Sequence, residues 1–379
     1  MNAPATRRLL GGHAPAAFLR RYWQRHALLV RHALPDFSGL HTRADLIALA
    51  CRDDVESRLV TRERGRWTLA EGPFRPGDFR RLPARDWTLL VQGVNLADAP
   101  TDALLRRFAF IPYARLDDVM VSYAAPGGGV GPHFDSYDVF LLQGFGRRRW
   151  RYGPQTDLTL VPALPLKILR HFTPAAEAVL APGDLLYLPP RHAHDGVAVE
   201  ACTTYSIGFR AAAYEELAQH FLDFLRDRVE LSGRYTDPGL KPTRAPARID
   251  PRMARTIGAA FQRVRWRPQD VARFTGAFLS EPKGIVRFAR PVPRRSAAAF
   301  AAAIARHGLA LDRGAQLLYD DETFYLNGEV VPPPSAGAAT LRRLANRRAL
   351  SAQECARIPA ALAARLHEWH DHGYLAIDR

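Results

Sequence analysis

The chain has 379 residues, 47% of them hydrophobic and 24% charged, which is enough apolar material for roughly two or three cored domains and excludes a mainly disordered chain. Its formal net charge is +15, almost all from arginine, since Lys167, Lys241 and Lys283 are the only lysines. That sign fits a polyanionic neighbour such as nucleic acid or a ribonucleoprotein particle, although GC-rich coding gives the same composition. Apolar runs such as 139–142 are too short to span a bilayer, and residues 1–12 lack an apolar stretch of signal-peptide length, so the reading is cytoplasmic with no membrane partner. Cys51, Cys202 and Cys355 lie far apart and in no CxxC pair, which supports neither a disulfide framework nor a zinc finger. Any metal must therefore be held by His and carboxylate.

In chain order, an apolar-periodic segment around Phe18, Leu19 and Trp23 comes first, then a short helix after Thr42 and two strands flanking Arg64-Gly65. From Trp87 to Arg210 short strand-like runs (88–94, 119–123, 139–142, 185–188, 204–209) alternate with Gly/Pro turns, which suggests an antiparallel barrel or sandwich. After Arg210 the apolar period lengthens to that of a helix through Leu217, Phe221, Phe224, Leu225 and Val229. A Pro-rich linker over 236–251 precedes a second helix around Ile257, Phe261 and Val264. Helices over 297–307 and 341–347, with a hairpin over 317–319 and 323–326 between them, suggest a small winged-helix-like unit.

The most informative stretch is Gly127-Gly128-Gly129-Val130-Gly131-Pro132-His133-Phe134-Asp135. Strand side chains alternate faces, so His133 and Asp135 point the same way and can grip one ion. On its own an HxD is more often a histidine beside a solvated aspartate. Support comes from Pro182-Gly183-Asp184-Leu185-Leu186-Tyr187-Leu188-Pro189-Pro190-Arg191-His192-Ala193-His194, where a turn, a buried strand and a Pro-Pro corner deliver a histidine to the barrel mouth. Two histidines and one carboxylate leave coordination positions open, which suits Fe(II) in oxygenases better than a closed zinc site. His192 competes with His194 for the third place.

In Gly146-Arg147-Arg148-Arg149-Trp150-Arg151 a strand would put Arg148 and Trp150 on one face and Arg147, Arg149 and Arg151 on the other. An arginine inside a barrel is costly unless it meets an anion, and a guanidinium matches a carboxylate bidentately. Arg148 is read as that carboxylate partner, and the odd-numbered arginines as a basic outer face.

Together, the HxD, an arginine fifteen residues after its His, and a distal His after PGD-x-x-Y-x-PP resemble the JmjC/cupin 2-oxoglutarate oxygenases. The segments Asp117-Asp118-Val119-Met120-Val121-Ser122-Tyr123, GGGVGPHFDSYDVFLLQGFGRRRWRYG and PPRHAHDG look like the bacterial ribosomal oxygenases; 57–60, 72–74 and 89–95 resemble them too. The resemblance implies an α+β protein. A double-stranded β-helix (jelly-roll) catalytic domain with its N-terminal extension would occupy 1–210, a helical dimerisation region 211–287, and a winged-helix-like domain 288–379. It implies hydroxylation of an arginine in a large-subunit ribosomal protein of the L-sixteen family, using Fe(II), 2-oxoglutarate and O2.

The metal ligands then fall on His133, Asp135 and His194, the PP-x-x-x-H spacing choosing His194 over His192. Arg148 and Ser122 would hold the co-substrate, with Ser206 a weaker candidate. Arg191-His192-Ala193 departs from the uncharged residues usual before the ligand His, which leaves the local geometry open. Tyr137, Asp138 and Asp118 are candidates by chain position for receiving a basic substrate; the bland alternatives are a packed barrel aromatic and, for Asp117-Asp118, an exposed strand start. The implied partners are a ribosomal protein, a second copy of the chain, and weak electrostatic contact with ribosomal RNA.

The same chemistry on a histidine or lysine of another protein is the alternative, as is a non-catalytic nucleic-acid-binding regulator. The His370-Asp371-His372 stretch has no third ligand motif and reads as solvated.

Overall fold

The computed structural model describes residues 3–378. Eight antiparallel strands form a large sheet: β1 (Leu28–Val30), β2 (Ser57–Glu63), β3 (Arg66–Glu71), β4 (Trp87–Val91), β5 (Leu116–Ala124), β6 (Val139–Gln143), β9 (Leu185–Leu188) and β11 (Cys202–Phe209), in the order β1-β9-β6-β11-β5-β4-β2-β3. A second sheet of β7 (Arg148–Pro154), β8 (Ala176–Leu180) and β10 (His192–Ala198), in the order β10-β7-β8, faces it. This is the jelly-roll core of an α+β protein, with the strands split between two facing sheets.

The strand sequences explain the layering. On β6 and β9 every residue is buried, because both faces of these central strands meet apolar partners. Phe140, Leu142, Leu185 and Tyr187 face outward onto Phe18, Leu104 and Phe108 of the N-terminal helical layer. Val139, Leu141, Leu186 and Leu188 face inward onto Trp150 and Leu180 of the second sheet. Each such side chain contributes about 1.5–3 kcal/mol by leaving water. Thr42 starts the helix Arg43–Ala50 through a capping box with Asp45, and Arg64-Gly65 turns β2 into β3.

Three elements differ from their sequence reading at their ends, the first being the helix Tyr214–Arg226, which stops short of Val229. The strand expected over 88–94 stops at Val91, and after a left-handed turn at Gly93 the residues Val94–Ala97 form a short helix. Val264 lies beyond the helix Pro251–Phe261, which Asp250 caps through the Arg252 amide.

Helices Tyr214–Arg226, Pro251–Phe261 and Pro268–Ser280 follow the jelly roll. They bury only Leu225, Phe274 and Ser280, while Leu222, Phe261 and Trp266 stay exposed. The C-terminal region has its own core, in which Phe300, Ile304, Leu344, Leu362, Leu366 and Trp369 pack beneath β12 (Leu309–Leu311), β16 (Ala349–Leu350) and β17 (Leu375–Ile377). The hairpin there is real and continues through Asn327-Gly328 into a third strand, giving β13 (Leu317–Tyr319), β14 (Phe324–Leu326) and β15 (Glu329–Val331).

His370 is not solvated. The helix Ala360–Asp371 carries it one turn beyond Leu366 on the inward face, where it stacks on Phe300 and its Nδ1 donates to the Leu375 carbonyl.

Candidate functional site

The site lies in the space between the two sheets. A glycine-rich loop leads from β5 to His133, and β10 carries His194; the two residues form a single antiparallel bridge, with His133 N donating to His194 O at 3.0 Å and His194 N to His133 O at 2.8 Å. Residues 61 positions apart are thereby locked side by side, with ring centroids 4.2 Å apart. Asp135 joins them, one carboxylate oxygen lying 3.7 Å from His194 Nε2. One ligand atom from each of His133, Asp135 and His194 lies within 4.8 Å of the others, the one such group of three among the described residues.

Second contacts set the tautomers. His133 Nδ1 lies 2.9 Å from the Gly131 carbonyl and His194 Nδ1 3.0 Å from the His192 carbonyl. A carbonyl only accepts, so both Nδ1 atoms carry the proton and both Nε2 lone pairs are free for a metal. Burial, with His133 adjacent, pushes the His194 imidazole down to about 4, so it is neutral and ready to ligate at physiological pH. His192 is half-buried and its imidazole is also lowered by burial, with His26 nearby; it is not among the convergent donors.

Arg148 projects inward from β7. It is 5% exposed, its Nη1 donates to Ser122 Oγ at 3.2 Å, and its guanidinium lies over the Trp150 ring. Its Nε and Nη2 have no hydrogen-bond partner among the described residues. A buried guanidinium with two free donors is costly unless an anion meets it, so this end of the cavity is built to receive a carboxylate. Thr204, opposite Ser122 in register, and Gln143, opposite Thr204, join through a 3.2 Å hydrogen bond and complete the polar floor. Sequence reasoning missed both; the signal available was the alternation that puts Thr204 on the same strand face as Ser206.

Trp150 stands between the anion-binding end and His194, its ring centroid 5.8 Å from the imidazole. A Cβ on Gly196 would come within 2.6 Å of that ring, so only glycine admits the indole here. The outward face of β7 is as expected: Arg149 is exposed, while Arg147 pairs with Glu200 and Arg151 with Asp195.

Along β5 and β11 each two-residue step advances by about 7 Å. Ser122 and Thr204 form the floor, Met120 opposite Ser206 comes next, and Asp118 beside Gly208 reaches the mouth. A Cβ on Gly208 would lie in ordinary contact 3.8 Å from Asp118 Oδ1 and 3.9 Å from Tyr137 Cε2, so a carboxylate oxygen and a ring carbon flank a small slot over this glycine. Tyr137 is 41% exposed; partial burial and the carboxylates of Asp135, Asp118 and Asp117 push its phenol upward.

Asp138 does not belong to this mouth. It is fully buried on the far side, where Tyr187 Oη (2.6 Å), Gln24 Nε2 (3.0 Å) and Arg115 (3.5 Å) surround its carboxylate. Ser136 and Tyr137 form a bend ahead of β6, and Asp138 next to them turns to the opposite side. Asp117 and Asp118 are not an exposed strand-start pair either: Lys283, far along the chain, reaches both, at 3.0 Å and 2.7 Å.

The JmjC domain family matches residues 103–217, and the ROXA-like winged helix family matches residues 263–376. Among characterised relatives, the chain is 36% identical over 340 residues to the ribosomal protein uL16 3-hydroxylase of Escherichia coli K12, covering 89% of this chain and 90% of that protein. It is 42% identical over 201 residues to a probable ribosomal oxygenase of Haemophilus influenzae, covering 52% and 49%. The crystal structure of YcfD, a ribosomal oxygenase from E. coli, in complex with cobalt and 2-oxoglutarate superposes with a TM-score of 0.80 at 33% identity, over 95% of this chain and 96% of that one.

Proposed function

The chain belongs to the JmjC-type ribosomal oxygenases, and from that premise we propose that it is an Fe(II)- and 2-oxoglutarate-dependent hydroxylase of an arginine side chain in the ribosomal protein uL16. The observation that carries the reading is the pairing, in one cavity, of three convergent ligand atoms with a buried arginine that lacks an anion. His133, Asp135 and His194 would hold the iron on one face and leave the other open for co-substrate and oxygen. When bound, iron with 2-oxoglutarate and O2 supplies the oxidising power for hydroxylating an unactivated carbon, with succinate and carbon dioxide as coproducts.

The protein's own residues bind, orient and exclude water. Arg148 and Ser122 would take the distal carboxylate of 2-oxoglutarate, with Thr204 and Gln143 closing the floor and Ser206 one pleat nearer the mouth. Trp150 and Leu141 keep that end dry, which strengthens the ion pair. At the mouth, the slot over Gly208 fits a planar cation: Asp118 offers a carboxylate and Tyr137 a ring face. These groups favour arginine over an apolar or acidic side chain, and the +15 charge fits an electrostatic approach to a ribosomal particle.

Mass spectrometry of ribosomal proteins from cells with and without this gene tests the reading. One added oxygen on an arginine peptide of uL16 that is absent without the gene supports it. An unmodified uL16 in both strains, with 2-oxoglutarate turnover intact in vitro, keeps the oxygenase and discards the substrate.

We take residues 211–287 as the region that pairs two copies, between a catalytic domain over 1–210 and a winged-helix-like domain over 288–379. What supports this is the exposed apolar side chains of its helices and their connection, such as Leu222, Phe261 and Trp266. Sedimentation of the full chain tests it, a dimer being the expected species.

A further inference from the structure

Lys283 belongs to a strap, residues 281–290, that runs from the helix Pro268–Ser280 to the C-terminal core and lies inside the winged-helix match rather than the JmjC match. The strap is anchored on the jelly roll, since Arg210 donates to the carbonyls of Leu279 and Glu281 and Ile285 lies beside Gly93. From it Lys283 Nζ reaches Asp118 Oδ2 at 2.7 Å and Asp117 Oδ1 at 3.0 Å.

The two oxygens of Asp118 are used differently. Oδ2 is turned toward the strap and accepts from both Lys283 Nζ and Gln92 Nε2, each at 2.7 Å. Oδ1 accepts no hydrogen bond among the described residues and faces the slot over Gly208 beside Tyr137. Asp118 is 3% exposed, and a carboxylate so buried needs an opposite charge to stay ionised. Asp117 cannot supply that charge and is itself satisfied by Lys283 and, at 3.5 Å, Arg210. Burial would lower the Lys283 ammonium, but Asp118 and Asp117 outweigh it and hold it above its ordinary value.

We propose that Lys283 is a positioning residue for substrate recognition: it grips one oxygen of Asp118 and so aims the other at the guanidinium of the incoming arginine. The strap, which lies outside the jelly roll, thereby completes a substrate pocket that the jelly roll alone leaves half built. This rests on the reading of Asp118 as the acid that meets the substrate.

The test uses the full-length enzyme with Fe(II), 2-oxoglutarate and recombinant uL16, following hydroxylation and succinate release. Lys283→Met keeps the length of the side chain and removes the charge; KM for uL16 rises about tenfold while kcat stays within about twofold, and Lys283→Arg restores most of the loss. Gln92→Leu removes the second donor to Oδ2 without touching the ion pair, and raises KM in the same direction by a smaller factor. Asp118→Asn separates the two levels of the argument. If Asp118→Asn raises KM but Lys283→Met and Gln92→Leu match the parent, the positioning role is wrong and the substrate acid stands. If Asp118→Asn itself leaves KM unchanged, the reading of the mouth falls and the positioning role with it.

Discussion

The two ends of the cavity are built by different means. The floor and metal end draw all their groups from the jelly roll: Ser122, Thr204 and Gln143 occupy neighbouring strands of the large sheet, Arg148 and His194 occupy paired strands of the facing sheet, and one backbone bridge joins His133 to His194. The mouth takes Asp118 and Tyr137 from the jelly roll but Lys283 from a strap 165 residues beyond Asp118. The floor is a product of sheet register, whereas the mouth depends on how two separately cored units dock. On the proposed reading, chemistry common to many oxygenases sits in the first, and choice of substrate in the second.

Four substitutions and a titration probe that division, in descending order of expected effect. His133→Ala should reduce uL16 hydroxylation by at least about 1000-fold and remove bound iron as measured by elemental analysis. Retained iron would mean that the convergent donors are not the metal site. Arg148→Ala leaves a 2-oxoglutarate carboxylate without its buried partner, worth about 3 kcal/mol, so its KM for 2-oxoglutarate should rise about 100-fold in steady-state assays.

Gly208→Val should do the reverse at the mouth, filling the slot and raising KM for uL16 about tenfold, with KM for 2-oxoglutarate unchanged. A matching change in both constants would falsify the division of the cavity into two ends. Leu222→Asp, on the exposed helical face, should shift the chain toward monomer in sedimentation while leaving 2-oxoglutarate KM as it was.

The smallest effect is on stability. His194 is held near 4, against 6.5 when free, so the unfolded chain binds more protons across that interval. Its contribution is intact above about pH 6.5 and is lost as pH falls through about 4, on the order of 1–3 kcal/mol for the metal-free protein. Thermal melts of metal-free enzyme from pH 7 down to 4.5 should show this decline, and His194→Phe should flatten it.

Legibility in the sequence followed the same division. The HxD and the arginine fifteen residues on are short local patterns, so His133, Asp135 and Arg148 were nameable from the residues, whereas Ser122 and the choice of His194 over His192 came from the family resemblance; the structure sets the three ligand atoms within 4.8 Å of one another and Arg148 against Ser122. Asp138 was misplaced because the chain bends at Ser136 and Tyr137 and turns it to the side of Tyr187 and Gln24, which chain position alone does not settle. The third strand of the C-terminal hairpin and the helix Ala360–Asp371 went unread, the former at three residues and the latter with an apolar stripe diluted by alanine. Lys283 was invisible as a site residue. Its contact with Asp118 has no local pattern and exists only after the strap has docked.

The histidine bridge gives the protein a way of reporting its own state. Because the two residues that would hold iron also join the end of the glycine-rich loop to β10, pulling the loop away from that strand breaks the coordination sphere. A ligand that binds only the closed form stabilises it by mass action, about 2.7 kcal/mol at a hundred times its dissociation constant. The melting temperature of this chain is therefore a gauge of metal loading, and a cell short of the metal would hold a softer, more readily degraded population of the enzyme than a replete one.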